Sequence, residues 1–175
     1  MRLNLYTVNK EYCEFLRKFD SKVPIVNGNK EKRLFVGILI CVNNKNYFAP
    51  LTSPKKKHLM MKDSQDFMKI DNGELGAINF NNMIPIPSTE LNQISYADVK
   101  DEKYRKLLIK QISWCNSSKD KIINKAYNLY KSMKYDNMSE KLKNRCCDFE
   151  LLEKMCYEYM HENCIREESL IYVFA

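Results

Sequence analysis

Apolar and polar positions alternate with a period of two through the first half of the chain and recur every three to four residues after Asp101. Residues 2–8 alternate, with Leu3, Leu5 and Thr7 on one face and Asn4 and Tyr6 on the other, which predicts a strand. Asn9 can cap a helix over residues 11–19 in which Tyr12, Phe15, Leu16 and Phe19 share a stripe, and Val23-Pro24 stops it. Residues 34–42 form the most apolar run and predict a central strand. Asn43-Asn44-Lys45-Asn46 then turns the chain back into a second strand over residues 47–51, the clearest hairpin in the sequence. Short apolar segments at 67–70, 76–80 and 83–86, punctuated by Asp71-Asn72-Gly73, Asn81-Asn82 and prolines, raise the expected count to about six antiparallel strands.

The helical period begins with Tyr104, Leu107, Leu108, Ile112 and Cys115, is interrupted at Ser117-Ser118, and resumes with Ile122, Ile123, Ala126, Leu129, Tyr130 and Met133. A further helix follows an Asp148 cap, with Phe149, Leu152, Met155, Cys156 and Tyr159 on one side, and residues 170–174 read as a closing edge strand. Strands first and helices last predict an α+β class, one domain over residues 1–175 with an antiparallel sheet flanked by about four helices.

Composition narrows the function classes. Hydrophobic residues at 45% and charged residues at 29% exclude a disordered chain, and the longest apolar run is too short to cross a bilayer as a helix. The N-terminus lacks the apolar core of a signal peptide, so a cytoplasmic location is expected. The 7 cysteines are odd in number and show no C-x-x-C spacing, which predicts reduced thiols; His58 and His161 lie far apart, so no metal site is expected. With 4 glycines, no G-x-G-x-x-G and no phosphate-binding P-loop, the sequence predicts no nucleotide cofactor. The net charge of +7 favours a polyanionic partner.

The segment Thr52-Ser53-Pro54-Lys55-Lys56-Lys57-His58 concentrates the candidate chemistry: two hydroxyls at a strand end, three ammonium groups and an imidazole. RNA carries its own nucleophile in the 2′-hydroxyl. A ribonuclease therefore needs only to align that hydroxyl with the phosphate, move two protons and stabilise the charge of the phosphorane. Thr52, Ser53, Lys55 and His58 suit such catalysis, and Lys30, Lys32, Arg33, Lys56 and Lys57 suit phosphate binding. The same lysines also fit a solvated loop. Tyr6 and Tyr47, with Phe48 and Phe80, fit either base stacking on a sheet or a hydrophobic core.

Residues 47–58, Tyr47-Phe48-Ala49-Pro50-Leu51-Thr52-Ser53-Pro54-Lys55-Lys56-Lys57-His58, resemble the active-site signature of the ToxN/AbiQ toxins of type III toxin–antitoxin systems. Residues 19–24, 75–86 and 104–111 continue the likeness in the family's order, which covers most of the chain and fades after Cys164. The resemblance implies a twisted antiparallel sheet flanked by helices, related in shape to the Kid/MazF endoribonucleases. It implies metal-independent, cofactor-free cleavage of cellular and phage RNA at adenine-rich sites, leaving a 2′,3′-cyclic phosphate and a 5′-hydroxyl. By motif it assigns Thr52, Ser53 and Lys55 to catalysis and Lys30 and Arg33 to RNA. The implied partner is an RNA antitoxin, a pseudoknot processed from tandem repeats by the toxin, which assembles with it into a closed protein–RNA complex. Neither DNA nor a membrane is expected as a partner. The alternative is a non-catalytic RNA-binding module; a DNA-binding factor is disfavoured because no helix-turn-helix pattern appears.

Overall fold

The computed structural model describes residues 2–26 and 33–173, with side chains described to residue 162; Lys30 and Lys32 lie outside the described residues. Asn9 starts α1 (Lys10–Arg17) by accepting from the Glu11 amide at 3.2 Å. Ahead of it runs β1 (Asn4–Val8), and after it β2 (Phe35–Val42) and β3 (Lys45–Thr52) form the expected hairpin. Asn43 and Asn44 turn that hairpin with φ of 48° and 58°, the left-handed conformations a two-residue turn demands and asparagine tolerates.

The described residues form a seven-stranded antiparallel sheet, with β4 (Phe67–Lys69), β5 (Ala77–Asn79), β6 (Ile84–Pro85) and β7 (Leu91–Gln93). Its order is β4-β5-β3-β2-β1-β7, and β6 pairs with β3. The edge beside β1 is filled by β7, with Tyr6 opposite Gln93, a strand that the sequence pattern does not reveal. Residues 170–173 form no closing strand: α6 (Phe149–Val173) runs through them. No glycine or proline interrupts that stretch, and good helix formers dominate it, so helix propagation wins over a short apolar ending.

Two long helices, α3 (Glu102–Ser117) and α4 (Lys119–Lys134), fall where the period predicts, and the Asp101 carboxylate caps α3 by accepting from the Tyr104 amide at 3.0 Å. Two short helices, α2 (Lys56–Met60) and α5 (Glu140–Lys143), bring the total among the described residues above the four expected. One hydrophobic cluster joins the sheet to α1, α3, α4 and α6. At its polar centre Glu153, on α6, accepts from the hydroxyls of Tyr47 (2.8 Å) and Tyr130 (2.7 Å) and from the Asn43 amide (2.9 Å). Three elements thereby grip one buried carboxylate, which leaves none of its partners unpaired. No described helix is long and apolar enough to cross a membrane.

Candidate active site

β3 is the strand that delivers the site. Its first half pairs with β6, Tyr47 opposite Pro85 and Phe48 opposite Ile84; its second half pairs with β5, Leu51 opposite Ile78 and Thr52 opposite Ala77. Along its other side it stays with β2, so residues 47–51 are buried from both flanks and the chain surfaces only at Thr52. Pro54 cannot continue a hydrogen-bonded ladder, and the exposed stretch 53–57 folds into the short α2, closed by the His58 amide donating to the Lys55 carbonyl at 2.8 Å.

Two glycines fix both ends of this loop. Gly76 has φ +100°, and a Cβ there would stand 2.0 Å from the Thr52 carbonyl oxygen; Gly73 has φ +99°, and a Cβ would stand 2.7 Å from the His58 carbonyl oxygen. Only glycine adopts that conformation and admits that approach without strain. The 73–76 segment is in turn pinned to α3, because the buried Gln111 donates Nε2 to the Leu75 carbonyl at 2.7 Å.

Thr52, Ser53 and Lys55 meet Arg33, Tyr104 and Gln111 around a cleft of about 320 Å³. Its lining joins two cations, two aliphatic hydroxyls and an aromatic ring, a donor-rich surface matched to a phosphodiester and its neighbouring base. Partial burial lowers the Arg33 pKa, but the guanidinium stays charged at any physiological pH. Thr52 and Lys55 also border a second pocket of about 270 Å³, where Lys57 and His58 lie. Lys56 is exposed and lines neither concavity.

The imidazole of His58 is not a solvated proton shuttle. The residue is 2% exposed, and its Nδ1 is sealed without a hydrogen-bond partner, which leaves Nε2 as the nitrogen that reaches the pocket. Burial holds its pKa below the usual histidine value, with Lys57 and Lys55 acting in the same direction. The ring is therefore neutral near pH 7, and a proton on Nε2 avoids stranding a buried N–H.

The aromatic expectations divide. Tyr47 is corrected: it is fully buried, its hydroxyl is committed to Glu153, and its ring packs edge-on against Tyr130 and Phe149, so it cannot stack on a base. Phe48 and Phe80 are likewise core. Successive side chains of β3 point to opposite faces, and both are covered: Tyr47 meets Tyr130 of α4 and Phe149 of α6, while Phe48 lies edge-on to Tyr6 of β1. Tyr6 is half-buried, edge-on to Phe48 at 5.3 Å, and lines neither concavity. The described cysteines are all free thiols; burial pushes Cys13 and Cys115 up to about 12, which makes both inert as nucleophiles at neutral pH.

Sequence reasoning missed Gln111, Tyr104 and Arg145 as site residues. Gln111 does leave a signal, a polar residue within the apolar stripe of Leu108, Ile112 and Cys115. Arg145 leaves none, because only the folded chain brings it to Asp66, 3.0 Å away.

The family model described as "Toxin ToxN, type III toxin-antitoxin system" matches residues 4–157. The chain belongs to this family of type III toxins. It is 34% identical over 170 residues to the endoribonuclease ToxN of Bacillus thuringiensis subsp. kurstaki, covering 94% of this chain and 88% of that protein. Among solved structures it is similar to the lactococcal anti-phage endoribonuclease AbiQ, with a TM-score of 0.83 and 32% identity over 92% of this chain and 99% of the other. A second solved structure, of a type III system in which a non-coding RNA pseudoknot selectively inhibits the toxin, matches with a TM-score of 0.81 and 36% identity, covering 91% of this chain and 99% of that one.

Proposed function

We propose that the protein is a cytoplasmic, metal-independent endoribonuclease that cuts cellular and phage RNA at adenine-rich sites. The observation that carries this reading is the convergence of Thr52, Ser53, Lys55 and Arg33 on one cleft. In the reaction the substrate's 2′-oxygen loses its proton and bonds to phosphorus, the bond from phosphorus to the 5′-oxygen breaks, and that oxygen takes up a proton. The products are a 2′,3′-cyclic phosphate and a 5′-hydroxyl. Lys55 stabilises the non-bridging oxygens of the phosphorane, while Thr52 and Ser53 hold the phosphate in register and relay protons. Arg33 binds a neighbouring phosphate, and Lys30, Lys32, Lys56 and Lys57 add positive charge that favours the RNA backbone. His58 acts as a neutral hydrogen-bond donor beside the reacting centre, since its sealed Nδ1 makes the imidazolium costly.

The inhibitory partner is a pseudoknot RNA that this protein cuts from a tandem-repeat precursor and that occupies the cleft in a closed protein–RNA assembly. The pseudoknot-inhibited relative supports this reading. Incubation of the protein with single-stranded RNA in EDTA tests the activity: defined fragments with cyclic-phosphate ends are expected. RNA that shifts on a gel but stays intact would overturn catalysis in favour of a binding module. Inhibition by the repeat RNA should weaken steeply with salt, as phosphate neutralisation requires.

A further inference from the structure

The polar side chains around the cleft at the end of β3 are nearly all donors. Arg33 and Lys55 bring cations, Thr52, Ser53 and Tyr104 bring hydroxyls, and no carboxylate of the described residues lines it. Gln111 is the exception. Its side chain is 3% exposed, and its Nε2 donates to the Leu75 carbonyl at 2.7 Å. That bond decides which way round the amide sits, because the reverse orientation would press Oε1 against another carbonyl oxygen. Oε1 has no hydrogen-bond partner among the described residues, yet it is not one of their sealed polar atoms, so its opening is the cleft that Gln111 lines. The amide is also held at a set place relative to Thr52. Leu75, which it grips, is followed by Gly76, which approaches Thr52 so closely that a Cβ would stand 2.0 Å from the carbonyl oxygen. One step along the chain thus separates the anchor of Gln111 from the contact with Thr52.

We propose that Gln111 Oε1 accepts a hydrogen bond from the 2′-hydroxyl of the ribose whose phosphate the cleft holds, orienting the nucleophile and telling RNA from DNA. The inference rests on the ribonuclease reading and adds to it a residue that touches the attacking oxygen. A phosphodiester offers only acceptors, so the carbonyl oxygen of an amide repels it and faces another part of the strand. The sugar hydroxyl is the donor nearest the phosphate, on the carbon beside the one that bears the 3′-oxygen, and it is the group by which a protein separates RNA from DNA. An amide oxygen is too weak a base to keep the proton. It draws the O–H aside so that an oxygen lone pair faces phosphorus, and the proton leaves through the hydroxyl relay described above. Because the Leu75 carbonyl already fixes the amide, no reorganisation is needed when the sugar arrives.

The test separates the acceptor from the hold on Leu75. An adenine-rich DNA oligonucleotide with one 2′-amino or one 2′-fluoro sugar, moved through each position in turn, binds without being cut; the neutral amine donates and the fluorine cannot. At the position that occupies the cleft, wild-type protein is expected to bind the amino strand about three- to tenfold tighter than the all-deoxy strand, and the fluoro strand no tighter than it. Gln111→Met removes both the acceptor and the hold, whereas Gln111→Glu loses the amide donor but keeps an acceptor in either protonation state. The methionine variant should lose the amino preference and the glutamate variant should keep it, with circular dichroism reporting that each is folded. On an all-ribose substrate Gln111→Met should lower kcat by roughly tenfold while KM stays within about twofold, the pattern of an oriented nucleophile. A wild-type protein with no amino preference at any position, a methionine variant that keeps it, or a glutamate variant that loses it would overturn the assignment. If the preference follows Gln111 but the all-ribose strand is never cut, the ribonuclease reading fails and the sugar contact stands.

Discussion

The two ends of β3 obey different rules. From Tyr47 to Leu51 every side chain is buried, and Tyr47 is tied to Glu153; from Ser53 to Lys57 every side chain is exposed, and the backbone leaves the sheet. The buried end belongs to the core, the exposed end carries the residues to which we assign the chemistry, and a single residue, Thr52, separates them. Substitutions on either side should therefore move one property and leave the other.

The largest expected effect is on activity. Lys55→Ala, and in the same direction Ser53→Ala, should lower RNA cleavage by on the order of a hundredfold or more, because charge stabilisation of the phosphorane is lost. Unfolding in urea should move by no more than about 0.5 kcal/mol, as for other exposed positions. A Lys55→Ala chain that is folded and fully active would end the distinction.

Gly76→Ala should break the separation on purpose. Its φ of +100° and the 2.0 Å approach to the Thr52 carbonyl place the strain at the boundary itself. A stability loss of about 2–4 kcal/mol is expected, together with reduced cleavage by the protein that remains folded, because Thr52 must shift. Denaturant titration and single-turnover cleavage measure the two parts.

Tyr47→Phe, at the buried end, should cost about 1–3 kcal/mol by removing one of the donors to Glu153. Cleavage at a temperature where the variant is folded should equal that of the wild type. Lost activity without lost stability would mean that Tyr47 reaches the RNA after all.

The smallest effect is a pH dependence. His58 has a folded-state pKa below its unfolded value, so the unfolded chain takes the proton first and acid favours unfolding. Stability from this group is complete above about pH 6.5 and is lost as the pH falls through the lowered folded-state value. Its slope is at most about 1.4 kcal/mol per pH unit in that window. Stability profiles of the wild type and His58→Gln should separate only on the acid side; identical profiles would place the imidazole in solvent.

Local signals were legible in the sequence. Asn43-Asn44 announces the hairpin because asparagine tolerates left-handed backbone, Asp101 announces α3 because its carboxylate caps a helix start, and the strand-end hydroxyls with Lys55 announce the cleft. What escaped depends on contacts far apart along the chain. Gln111 and Tyr104 reach the cleft only because α3 packs beside the 73–76 segment. β7 is too short and polar to show a period and becomes a strand by pairing with β1. Nothing in the sequence separates His58 from the three lysines before it, yet it alone is buried, because one turn of α2 rotates it inward. Tyr47 was ambiguous because alternation marks a face and does not say what covers it.

The carboxylate of Glu153 carries a consequence for the order of events in the cell. It clasps the turn of the β2–β3 hairpin, the middle of β3 and α4, yet it belongs to α6, which follows all of them along the chain. A nascent chain still missing α6 holds Tyr47 and Tyr130 without their shared acceptor, so this clasp on the strand that presents Thr52 closes only after α6 emerges. Locking of the hairpin to the helical layer is thereby a late step, one that follows the making of the sheet it holds.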